Sequence, residues 1–547
     1  MSSPEHQAYR NQLLFWFRSR ACDPDVAEQL ERYREAAAAL WELDLEPARA
    51  VLQGCYSPNP RGGKPRDPIV VLRSLLLMVL VVQTSINKWA RDLAGSRVLR
   101  VLAGLPDDGG RPGVGTFYDF LARLHDGPSR KTCEHQERPS EAERRRSRTP
   151  RAKPPKAPNP ESEPASEGGK RKKKRRKKKA KDPVTAPANA DAVTEKLVAE
   201  LQASTALANP NDILERLGVI LRTVAVQGSL ARGLLGDPAK LSVGGDGSPL
   251  RAGASRYGKR TCDHPKHERC DCPRIYEDPD ARVGWDSHRK TYYYGHHFYE
   301  ISASAGGHDL PLAIHLAPGN ASDYTQSLLT LDRLYKSLGT LAESVRIAHF
   351  IADRGHDAEP IYRYCLGHGT IPVIPLRGEA PATHPARPDL KLSPRGVPTC
   401  QADVEMAPWG SAGAHRKVFI CPVKAGTLER CPLAPPEQPD WVCRPDQKWG
   451  PSVAVNAALN PRLCPPIPRN SPQFQELMNL RSGTERSNSV KKEAFKLEAA
   501  RHRRASFWLI RLHLIAVLQH ARVWVAPGAA RSLVDHLLGR EPAVQAA

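Results

Sequence analysis

The chain has 547 residues, a net charge of +22 at neutral pH and twelve cysteines. The length gives room for about two to four domains and a sizeable core. The charge excludes an acidic solvating chain and points to a polyanionic partner, either nucleic acid or an anionic membrane surface. The cysteines are too sparse for a disulfide scaffold, so reduced thiols or metal ligands are expected.

The N-terminus, "MSSPEHQAYRNQ", is polar and lacks the apolar core of an export signal. Residues 1–127 read as a helical N-terminal domain of the kind that binds DNA. Asp67-Pro68 is a cap and first-turn pair opening the run "IVVLRSLLLMVLVV". That run carries Arg73 and is too short to span a bilayer, so it reads as a buried helix. Ser85 caps a second helix ended by Gly95, and "TFYDFLARLH" forms another. Residues 128–190 read as a disordered basic linker with almost no large apolar residues. Within it stand Lys170, Arg171, Lys172, Lys173, Lys174, Arg175, Arg176, Lys177, Lys178 and Lys179. Such a run holds phosphates without reading base edges.

Residues 191–376 change character. "KLSVGGD" is expected to end a strand at Asp246, and "YYYGHHFYEISAS" and "LPLAIHLAP" are β-branched and aromatic. A helix capped by Ser322 follows, then the apolar strand "VRIAHFIAD" ending at Asp353, a helix and the strand "TIPVIP". Residues 377–472 are irregular and Pro-rich, and residues 473–547 return to helices. The order is three antiparallel strands followed by alternating helices and parallel strands. It predicts an α/β core with a ribonuclease-H-like mixed sheet, an insertion before the last catalytic helix and a separate all-α N-terminal domain. In such a sheet the first and fourth strands are neighbours, which brings Asp246 beside Asp353.

The third carboxylate comes from "RSGTERSNSVKKEAFKLE". At about 100° per residue, Arg481, Glu485 and Lys492 fall within roughly 40° on one helix face. A solvated salt-bridge face is the ordinary fate of such spacing. Joined to two strand-end aspartates in a basic protein, the stripe instead reads as a carboxylate triad with two phosphate-holding cations. Two-metal phosphoryl transfer needs that donor set.

Two cysteine groups stand apart from the triad. Cys262, His264, His267, Cys270 and Cys272 lie within eleven residues. Cys400, Cys421, Cys431 and Cys443 lie in the Pro-rich region, where a metal can replace a core. Each group can be read as a structural zinc site or as reduced thiols. Trp409, Trp441 and Trp449 also lie there, and a base flipped from the duplex can stack on such a ring.

The chain resembles bacterial insertion-sequence transposases of the DDE type. "GGDGS" is similar to the first-Asp motif and "IADRGHD" to the second. Arg481, Glu485 and Lys492 match the Tyr-x2-Arg-x3-Glu-x6-Lys signature, with Met478 in place of Tyr. The resemblance implies Asp246, Asp353 and Glu485 as catalytic ligands of Mg²⁺ or Mn²⁺. It implies cleavage and strand transfer of terminal inverted repeats into target DNA by a homodimer in the cytoplasm, associated with the nucleoid and not with a membrane. Three rival readings are a domesticated or inactive transposase-derived DNA-binding protein, a repair-type nuclease with the same core and a zinc-stabilised nucleic-acid-binding scaffold. Intact Asp246, Asp353 and Glu485 argue against the first, the helical N-terminal domain and basic linker fit a transposase better than the second, and the third leaves the triad without a purpose.

Overall fold

The computed structural model describes residues 2–57, 65–108, 110–127, 185–204, 212–262, 274–413 and 416–540. The run from Lys170 to Lys179 and the residues His264, His267, Cys270 and Cys272 lie outside them.

Up to residue 127 the described residues form helices and connecting turns. The helix Pro68–Leu80 begins where Asp67 accepts from the Ile69 N–H at 2.8 Å. Its apolar run is buried nearly throughout, and so is Arg73, whose guanidinium lies 3.8 Å from the centre of the Tyr9 ring. The aromatic face compensates part of the charge's lost hydration. The helix Ile86–Gly95 starts at Ser85 as expected, and its buried Trp89 donates to Ser74 at 3.1 Å. Among the described residues no single helix is long and apolar enough to cross a membrane.

The main sheet contains β1 (Leu241–Arg251), β4 (Arg282–Asp286), β5 (Thr291–Ala305), β6 (His308–Pro318), β7 (Ile347–Ile351) and β8 (Ile371–Val373). Two short strands, β2 (Lys259–Arg260) and β3 (Arg274–Ile275), pair with each other between β1 and β4. The sheet order is β4-β5-β1-β7-β8, with β6 also on β5. Pairing is antiparallel among β1, β4, β5 and β6, and parallel for β1–β7 and β7–β8. The expected neighbours, first and fourth of the strands read from sequence, are thus β1 and β7.

One expectation fails. β1 does not end at Asp246 but continues to Arg251, paired with Gly295. The glycines around Asp246 are not turn residues. A Cβ on Gly244 would lie 2.5 Å from Thr484 Oγ1, and one on Gly247 would overlap Asp323 Oδ1 and His297 Nε2. They are narrow places where neighbouring elements come down onto the strand.

The helix Asp323–Ser337 follows β6, and Glu359–Gly367 separates β7 from β8. The helix Ala505–Trp524 is buried along most of its length and packs on β6. The hydrophobic interior runs without a break from the first helices through this helix to the sheet. Between β8 and the helix Pro472–Leu480 lie β9 (Thr383–His384), β10 (Arg387–Lys391), β11 (Ala407–Ser411), β12 (Arg416–Ile420) and β13 (Ser452–Asn456). The last three form a small antiparallel sheet over a core that includes Leu390, Met406, Phe419 and Val455. This region is therefore less irregular than its composition predicts. The helix Ala529–Leu537 lies within the residues read as helical, 473–547.

Candidate active site

Side chains alternate between the faces of a sheet, so Gly244 and Asp246 share a face. Gly244 pairs with Ile351 in β7. Two residues past that last pair, Asp353 lies just beyond the end of β7, the strand beside β1, and both carboxylates act on the buried Tyr299 hydroxyl. Asp353 lies in the turn after β7, where its Oδ1 accepts from the Gly355 N–H at 2.9 Å and pairs with His356 Nδ1 at 2.7 Å. Burial opposes its ionisation, but His356, the Gly355 N–H and Arg481 outweigh burial and hold its carboxyl below the usual range. Asp246 behaves in the opposite way. Burial, then the charges of Asp323 and Glu485, push its carboxyl up to about 6.

Glu485 reaches this face from the helix Ser482–Glu493. One stripe of that helix, Thr484, Ser487, Asn488 and Lys491, is buried against the sheet. Thr484 meets Ser302 at 2.9 Å, and Ser487 donates to Glu300 at 2.5 Å. Glu300 stands opposite Asp246 in the β1–β5 register. The outer stripe contains the residues picked from sequence. Arg481 Nη2 lies 2.7 Å from Glu485 Oε1, with Glu485 half exposed. Arg481 is also among the positive charges acting on Asp246 and Asp353. Lys492 shares the stripe but faces Glu498 at 3.7 Å, which also binds Arg289 at 2.8 Å. Met478, at the signature's Tyr position, packs against the apolar cluster of Ile351, Val373, Ile467 and Phe474.

Several neighbours of the triad were not read from the sequence. Asp323 begins a helix and pairs with His297 Nε2 at 2.5 Å. The two approach over Gly247, on the other face of the sheet from Glu485. Asn488 donates to Asp246 Oδ2 at 3.3 Å. Polar residues on a helix read as a solvated face, and only the packed sheet reveals that this stripe points inward.

The carboxylates now lean on a guanidinium, an imidazole and N–H groups. Glu485 is turned to Arg481 and Asp353 to His356, and among the described residues no three His, Cys, Asp or Glu side chains form a ready metal cage. Cys400, Cys421, Cys431 and Cys443 line one small pocket, and all four are free thiols. Burial, followed by the other three sulfurs, raises the Cys443 thiol. Cys262 is partly buried, and the other residues of its group lie outside the described ones.

Residues 247–395 match the family described as "Transposase DDE domain". The chain carries a DDE transposase domain. The match begins one residue after Asp246, includes Asp353 and ends before Glu485. A DDE transposase domain implies a ribonuclease-H-like α/β core, and the mixed sheet with its flanking helices agrees with that. Transposases of this kind act on DNA and generally use divalent metals such as Mg²⁺. No curated protein and no solved structure matches the chain.

Proposed function

We propose that the chain is an active insertion-sequence transposase. In this reading it cleaves the ends of its element and transfers them to target DNA through Asp246, Asp353 and Glu485. The observation that carries the proposal is that the three acidic residues stand on neighbouring elements: Asp246 on β1, Asp353 just beyond the adjacent β7, and Glu485 on the helix whose inner stripe packs on β1 and β5.

The donor set fits a hard divalent cation. All three groups are carboxylates. Asp246 ionises reluctantly among like charges, a situation that a cation relieves. Beside it, the buried Asn488 Oδ1 is an acceptor with no hydrogen-bond partner among the described residues. Mg²⁺ or Mn²⁺ bound there would supply charge neutralisation at the scissile phosphate. The chain's own residues do the positioning. β1 and β7 fix the spacing of the two aspartates, His356 orients Asp353, and Arg481 presents a guanidinium suited to a phosphate oxygen. Lys492 lies about two turns past Glu485 along the helix and would hold DNA beyond the cut. The run from Lys170 to Lys179 would add affinity that falls steeply with salt.

Residues 1–127 would recognise terminal repeats, residues 128–190 would link, and residues 191–376 and 473–547 would form the core around the 377–472 insertion. A homodimer would hold paired ends in the cytoplasm, on the nucleoid. For the insertion, a structural Zn²⁺ held by Cys400, Cys421, Cys431 and Cys443 would draw together four sulfurs that line one pocket without forming a ready cage. The Cys262 to Cys272 group would be a second such site. The deciding experiment for the activity is Mg²⁺-dependent cleavage of the element's own terminal DNA. Asp246→Asn should abolish cleavage while DNA binding persists. Undiminished cleavage by that variant would remove the triad from the reaction.

A further inference from the structure

Asn488 lies three residues after Glu485, on the sheet-facing stripe of the same helix, and is 5 % exposed. Its neighbours on that stripe are all satisfied, with Thr484 bonded to Ser302 and Ser487 and Lys491 to Glu300. Asn488 is satisfied on one side only. Its Nδ2 donates to Asp246 Oδ2 at 3.3 Å, while its Oδ1 is buried without a hydrogen-bond partner among the described residues. The orientation of the amide follows from chemistry. An ionised carboxylate only accepts, so the nitrogen must face Asp246 and the carbonyl oxygen must point elsewhere. Other buried amide oxygens, such as those of Gln326, Asn470 and Gln519, also have no hydrogen-bond partner among the described residues, and that of Asn488 is the one whose amide touches Asp246.

We propose that Asn488 is a further ligand of the site, its Oδ1 supplying a neutral oxygen to the divalent cation that Asp246 holds. This rests on the carboxylate-site reading above and adds a residue to it. Hard cations accept amide carbonyl oxygens alongside carboxylates. A neutral donor also suits this position. A further negative charge here would add to the repulsion that Asp323 and Glu485 already exert on Asp246. One amide thus orients Asp246 through its nitrogen and completes the oxygen set through its carbonyl.

The test uses the full chain without DNA. Mn²⁺ affinity is measured by counting free ion in an electron paramagnetic resonance titration, and the Tm of wild type, N488A, N488D and D246N is followed with chelator and with Mn²⁺. The expected result is that N488A loses ~10-fold or more in Mn²⁺ affinity, the scale seen when a metal site loses a supporting group. N488D should melt lower than wild type in chelator and gain more from Mn²⁺ than wild type does. N488D keeps the test informative should N488A fold poorly. If both variants match wild type in Mn²⁺ affinity and in the rise of Tm while D246N loses binding, Asn488 is only a packing residue and the proposal is overturned. If D246N also binds Mn²⁺ like wild type, the carboxylate site itself falls, and this proposal with it.

Discussion

Lys491 Nζ lies 2.5 Å from Glu300 Oε2, and both side chains are completely buried. Ser487 donates to the other oxygen of Glu300, and Gln519 reaches Ser487 at 3.1 Å from the helix Ala505–Trp524. The pair therefore joins three elements directly beneath the carboxylates. Replacing Lys491 with Met would strand Glu300 in the interior. Loss of one partner of a buried pair costs about 3–5 kcal/mol, whereas replacing both with apolar residues can be near neutral. Urea unfolding of K491M and of K491M/E300L measures this. A K491M variant as stable as wild type would show that the pair does not hold the helix in place.

Glu485→Gln separates catalysis from stability. The Arg481–Glu485 pair is half exposed, so its loss should change stability by well under about 1 kcal/mol. Cleavage of terminal DNA should fall by orders of magnitude, with binding of that DNA retained. Combining E485Q with D353N should reduce the rate little further, because one cluster fails as a unit. Wild-type cleavage by E485Q would return Glu485 to the role of a surface salt-bridge partner.

The four-cysteine pocket predicts bound metal. Purified protein should contain zinc in proportion to chain, and Cys421→Ser should lower it. Chelation should release the metal and lower the unfolding temperature of the insertion, because the small sheet there has few apolar residues beneath it. Metal-free preparations that melt like the rest would leave the four residues as ordinary thiols.

Buried histidines make the fold sensitive to acid. Burial pushes the rings of His513 and His520 down to about 4, with His315 also at about 4 and His502 at about 3. Free histidine titrates near 6.5. Between pH 6.5 and 4 the unfolded chain thus binds protons that the folded chain refuses, and stability falls as pH drops. At pH 5 the loss is roughly 2 kcal/mol per ring. The raised Asp246 carboxyl acts in the opposite sense between about 6 and its ordinary value, but it is one group against four. His513→Met should flatten the pH dependence of urea unfolding by about one proton in this window. An identical slope in the variant would place the acid sensitivity elsewhere.

Local chemistry was readable without the fold. Asp67-Pro68 and Ser85 marked helix starts because capping is settled within a few residues. The β5 and β6 segments were identifiable because their composition suits a buried pleat. Arg481 and Glu485 were found by helical spacing, and they do touch. Spacing gives a face but not a partner: Lys492 shares the stripe with Glu485, and its contact with Glu498 comes from beyond the helix. Lys491, Asn488 and Asp323 escaped notice for a related reason. Their surroundings are built from β1, β5 and another helix, and nothing within a few residues records that. The strands β11 to β13 pair across gaps of chain that local composition does not link.

The continuation of β1 past Asp246 has a consequence for motion. Asp246 sits within a ladder that runs from Val243 to Arg251 against β5, whereas Asp353 lies in a turn and Glu485 on a half-exposed helix face. Opening the backbone at Asp246 means breaking a central strand, which demands close to global unfolding. The Asp353 turn opens locally. Amide hydrogen exchange should therefore be slow at residue 246 and much faster around 353–357. The three carboxylates differ in kind: one is a fixed reference point, and the other two can adjust their approach to it.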